Sequence, residues 1–87
     1  MTVAEAIRRM IRVMKISQAK LAEKAGKSPA NISAYIRSGD GIKLRNLMSI
    51  ADACDYDIVL VRKGTRLPYG VLKLEQDSAE VQPAEAE

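Results

Sequence analysis

Residues 17–39, SQAKLAEKAGKSPANISAYIRSG, constrain this chain more than any other stretch. They read as two short helices joined by a tight turn. Ser17 is placed to cap the first helix, and Leu21, Ala22 and Ala25 give it an apolar face at helical spacing. Gly26 supplies the left-handed conformation that ends a helix. Ser28 is a second N-cap, and Pro29 falls at the first helical position, where its missing N–H costs little. Ile32 and Ile36, four apart, form the inward stripe of the second helix. Ala30, Asn31, Ser33, Ala34 and Arg37 lie on its other side. Two helices separated by about four residues cross steeply, which leaves the second proud of the surface. A protruding helix covered with small and hydrogen-bonding side chains fits a DNA major groove.

The flanks extend this pattern. Residues 3–14, VAEAIRRMIRVM, read as an amphipathic helix with Ile7, Met10, Ile11 and Met14 as its core stripe. Thr2 and Glu5 stand at capping-box spacing before it. Residues 43–54, KLRNLMSIADAC, read as a fourth helix that buries Leu44, Leu47, Met48, Ile50, Ala51 and Cys54. Cys54 is read as a core thiol.

Residues 56–63, YDIVLVRK, change character. They are β-rich and apolar on consecutive positions, which implies burial on both faces. Turn residues follow in 64–70, and Leu72 and Leu74 then alternate on one face. This makes a hairpin with a long connection, marginal in isolation and with edges that invite pairing. Either two protomers share one sheet across a two-fold axis, or the strand folds back on its own helices. The shared sheet is the economical solution, with Ile58, Val59, Leu60, Val61, Leu72 and Leu74 at the interface.

The charge is unevenly spread. Residues 1–74 hold all fourteen Lys and Arg against six Asp and Glu, a balance of +8. Residues 75–87 hold five acids and no base, −5, which brings the whole chain to +3. A basic body favours phosphate partners. The acidic tail, residues 76–87, has the composition of a disordered segment. It serves solubility, competes with DNA for the basic face, or contacts a partner.

Composition also excludes. With one cysteine and no histidine, the chain has no internal disulfide, no zinc site and no Ser-His or Cys-His nucleophile. Nothing suggests a cofactor or an enzyme. Three tyrosines as the only aromatics argue against a stacking platform for single-stranded nucleic acid. No apolar run reaches membrane-spanning length and no signal-peptide core is visible, so a cytoplasmic location is expected. Eighty-seven residues make one domain that buries roughly 60% of its unfolded surface, so a second copy would help it.

SQAKLAEKAG followed by an S-x-x-N-I-S helix resembles the Xre/Cro-type helix-turn-helix family, which includes phage repressors and many antitoxins. The resemblance covers roughly residues 3–60 and rests on Gln18, Leu21, Ala22, Gly26, Ile32 and the run LRNLMSIADAC. It implies a mainly α, four-helix Cro/repressor-like domain in residues 1–55, with a β dimerisation extension in 56–75. It also implies a sequence-specific repressor that binds a palindromic operator as a homodimer. The alternative is an antitoxin that neutralises a partner toxin and autoregulates its operon.

Gln18 occupies the position whose amide bonds a phosphate in the family, with Arg12, Lys27, Lys43 and Arg45 as charged phosphate contacts around it. Base reading falls to Ser28, Ala30, Asn31, Ser33, Ala34 and Arg37. Asn31 pairs with adenine or bonds a phosphate; Arg37 reaches guanine or the backbone. The family's glutamine-type readers are absent, so much of the specificity is assigned to DNA shape. Asn31→Ala is expected to relax preference at one base position, by about 1–3 kcal/mol, in competition binding against permuted sites. Equal weakening on every sequence marks Asn31 as a phosphate contact instead.

Overall fold

The computed structural model describes residues 1–39 and 41–75. The acidic tail lies outside the described residues. Four helices follow in order: α1, Val3–Met14; α2, Gln18–Ala25; α3, Pro29–Arg37; and α4, Leu44–Ala53.

Local chemistry fixes the starts of the first three helices. The Thr2 hydroxyl accepts from the Glu5 N–H at 3.2 Å, and the Glu5 carboxylate accepts from the Thr2 N–H at 2.8 Å. This closes the capping box of α1. That second bond holds the Glu5 carboxyl below the usual carboxylate range. Ser17 caps α2 by accepting from Lys20 N–H, and Ser28 caps α3 by accepting from Asn31 N–H. Gly26 ends α2 at φ +70°, in the left-handed region. Lys15 ends α1 in the same region at φ 58° without being glycine.

Ile7, Leu21, Ile32, Ile50 and Cys54 are fully enclosed, one or more from each helix, with Met10, Ala22, Leu47 and Ala51 around them. Burial pushes the Cys54 thiol pKa up, outweighing the attraction of Lys24. Two residues expected in this core are not there. Leu44 is 62% exposed and Met48 51% exposed. They lie four apart on one flank of α4, and no described element covers them.

The connection from α3 to α4 is tighter than a flexible glycine-rich turn. Gly39 is buried against the start of α1. A Cβ there would stand 2.7 Å from Val3 Cγ1 and 3.1 Å from the Ala4 backbone nitrogen. The glycine is required because two backbones approach closely, not because its φ is unusual.

The C-terminal segment departs most from expectation. Among the described residues there is no strand, so no hairpin ladder forms over residues 56–75. Turns close at Arg62–Thr65 and Pro68–Val71. Residue 1 holds the far end: its amine donates to Lys73 O at 3.0 Å, and its carbonyl accepts from Glu75 N–H at 2.9 Å. The segment therefore returns over its own helices as an arch. Tyr56 and Leu72 pack on the core, but Val59 is 70% and Leu60 97% exposed. The expected burial on both faces is absent because one chain offers only one apolar surface to lie against.

Two substitutions separate the glycine roles. Gly26→Ala should cost roughly 1–2 kcal/mol through left-handed strain. Gly39→Ala should cost about 1–3 kcal/mol through overpacking against α1. Urea unfolding checks both, and a neutral Gly39→Ala would contradict the close contact. Cys54 should resist iodoacetamide in the folded chain and react on unfolding, as read by mass spectrometry.

Candidate nucleic-acid interface

The α2–turn–α3 unit is held from below by Leu21, Ala22 and Ile32, whose exposures are 1% or less. Ala22 lets α3 approach closely, because a larger side chain would push the two axes apart. With Ile32 inward, helical spacing turns Ala30, Ala34 and Arg37 outward, with Asn31 and Ser33 on opposite flanks. Ser28, Ala30, Asn31 and Arg37 are exposed, while Ser33 and Ala34 are half-buried.

The surface carries usable donors and acceptors. Ser28 Oγ accepts from Asn31 N–H as a cap and keeps its own hydrogen to donate outward. Arg37 Nη1 donates to Ser33 Oγ at 3.3 Å, one turn back on the same helix. The Arg37 guanidinium is thus directed along the Ser33 flank. The Asn31 side chain is exposed at the opposite flank.

The far end of α3 is also supported. Arg8 Nη1 on α1 donates to Ile36 O at 2.6 Å. Arg8 stays exposed, and its guanidinium satisfies a carbonyl in the last turn of α3. The pairing spans 28 residues, and no local pattern announces it.

The residues expected to contact phosphate fall at or near helix ends. Gln18 is exposed at the first position of α2, and Arg12 is exposed in the last turn of α1. Lys43 is the N-cap of α4, but its side chain makes no capping bond. Arg45 is exposed one residue into that helix. Lys27, in the turn before α3, reaches α4: its Nζ donates to Asn46 Oδ1 at 3.0 Å. Asn46 Nδ2 in turn donates to Tyr35 OH at 3.3 Å. Lys27, Lys43 and Arg45 are therefore drawn to one end of α4, where the helix dipole also favours an anion. Tyr35 and Asn46 join Lys27 in this cluster through bonds between separate parts of the chain, which no local pattern announces.

A capped helix pair with an enclosed seam, an exposed second helix and cations along its edge defines a helix-turn-helix nucleic-acid-binding domain. The chain belongs to the helix-turn-helix family of Xre/Cro type: the family's model, described as helix-turn-helix, matches residues 7–61, more than half of the chain. No curated protein and no solved structure matches it significantly. The family is a DNA-binding one, which implies DNA as a partner of this domain.

Lys43→Ala should lower the slope of log K against log salt by about one unit per half-site. A slope equal to that of the parent protein would remove Lys43 from the interface.

Proposed function

We propose that this protein is a sequence-specific transcriptional regulator that binds a palindromic operator as a homodimer and represses by excluding RNA polymerase. The observation that carries this reading is α3 itself. Its inner face is locked by Ile32, while Ser28, Ala30, Asn31 and Arg37 stand exposed on a basic body. Ser28, Ala30, Asn31, Ser33, Ala34 and Arg37 read bases, and Arg12, Gln18, Lys27, Lys43 and Arg45 hold phosphates. The action is regulatory, not catalytic, and its place is the cytoplasm. Among the described residues no helix is long and apolar enough to cross a membrane.

Dimerisation is supported by the apolar surface left uncovered on one chain. The arch and the helices enclose a cleft of about 650 Å³ floored by Met10, Leu47 and Ala51. Ile58, Val59, Leu60 and Val61 line it from the arch, with Leu72 and Leu74 beside them. Exposed Leu44 and Met48 continue the side of α4 that carries Leu47 and Ala51. A patch of this kind is characteristic of an interface. A second chain's residues 58–61 would supply the missing second face. The same cleft supports a second reading, an antitoxin that takes a toxin segment there and autoregulates its own operon.

The deciding measurement is a titration against DNA from upstream of the protein's own gene, with scrambled DNA as control, at two salt concentrations. Tight binding that survives scrambled competitor, with half-sites about ten base pairs apart, is the expected result. Weak binding, equal on both DNAs and lost at higher salt, would reduce the basic body to a generic phosphate surface. Leu60→Asp should convert the dimer to monomer in sedimentation and weaken operator binding at least tenfold. A Leu60→Asp protein that remains dimeric would exclude this interface.

A further inference from the structure

Lys27, Tyr35 and Asn46 come from three different parts of the chain: the turn before α3, the flank of α3 and the first turn of α4. All three are half-buried. Their chemistry fixes the direction of every bond between them. An ammonium can only donate, so the amide oxygen of Asn46 must face Lys27, at 3.0 Å. Its Nδ2 must then face Tyr35, at 3.3 Å. An N–H occupies the phenol's acceptor side, which leaves the Tyr35 hydrogen to donate elsewhere. The remaining Lys27 hydrogens are donors as well. The linked set therefore offers an incoming group an O–H and an ammonium, which suits a ligand that only accepts. Tyr35 follows Asn31 by one helical turn on the same flank, and Lys27 directly precedes the Ser28 cap. This places the donors beside the reading surface, where a DNA strand would run.

We infer that Asn46 is a positioning residue for DNA binding: its amide orients the Lys27 ammonium and the Tyr35 hydroxyl as a matched pair of donors to phosphodiester oxygens. The inference rests on the DNA-binding reading above. Asn46 need not touch DNA itself. By holding both side chains before DNA arrives, it lowers the ordering cost that two free side chains would incur on binding.

Asn46→Asp tests this with almost no change of shape. The carboxylate would ion-pair with Lys27 and turn the Tyr35 hydrogen inward, withdrawing both donors. The full chain is titrated against duplex DNA from upstream of its gene across a range of salt, and urea unfolding confirms the fold. Asn46→Asp should weaken binding more than tenfold and lower the salt slope by about one unit per protomer. Tyr35→Phe should weaken binding several-fold and leave the slope unchanged. In a Tyr35→Phe background Asn46→Asp should cost clearly less than it does alone. Equal losses in both backgrounds would mean simple charge repulsion and overturn the inference, as would an Asn46→Asp protein that binds like the parent. If Asn46→Asp unfolds the chain, Lys27→Gln and Tyr35→Phe replace it: losses smaller together than their product support the relay, and independent losses overturn it. A parent protein that binds no duplex overturns the DNA-binding reading itself, a result separable from parent-like binding by the variants.

Discussion

The burial of Ile32 is the constraint on which the rest depends. It is the one side chain of α3 that is fully enclosed, and it sits among Leu21, Ala22, Ile7 and Ile50. Enclosing a side chain of this size contributes about 1.5–3 kcal/mol, a large share of the stability of a domain this small. It also fixes the rotation of α3 about its axis. With Ile32 inward, the outward direction of Ala30, Ala34 and Arg37 is no longer free. The outward presentation of α3 and the packing of the core are consequences of one side chain's position.

Other contacts then fix what Ile32 alone leaves loose. Ser28 holds the start of α3 and Arg8 its end. Lys27 and Tyr35 tie its flank to Asn46 on α4. Gly39 sets α1 against the link that follows. Each bond is modest singly, about 0.5–1.5 kcal/mol net. Together they reduce the number of orientations α3 can sample. A DNA groove requires such a restricted helix, since any freedom left in it must be lost on binding.

The helices were legible because their signals are local. Thr2 with Glu5, Ser17, Ser28 with Pro29, and Gly26 each act within four residues of their partners. The apolar spacing of Ile7, Leu21, Ile32 and Ile50 was equally readable. What escaped was non-local: Arg8 to Ile36, Asn46 to Tyr35 and Lys27, and Gly39 against Val3. Nothing at those positions announces a partner elsewhere in the chain. Leu44 and Met48 were misplaced for a different reason. An apolar periodicity shows which side of a helix is greasy, not whether this chain has anything to cover it. Residues 56–63 failed in the same way, since a consecutive apolar run states a need for two covering surfaces and one chain supplied one.

The Gly39 contact has a consequence for how this domain can diverge. Gly39, in the link between α3 and α4, is wedged under the start of α1, so that position takes a side chain only at a cost. The exposed positions of α3, Ala30, Asn31 and Arg37, bear little of that load. Replacing them alters what the helix presents without disturbing how it is seated. The molecule thus separates a fixed mount from a replaceable face, so substitutions on that face can change what the domain presents without unseating it.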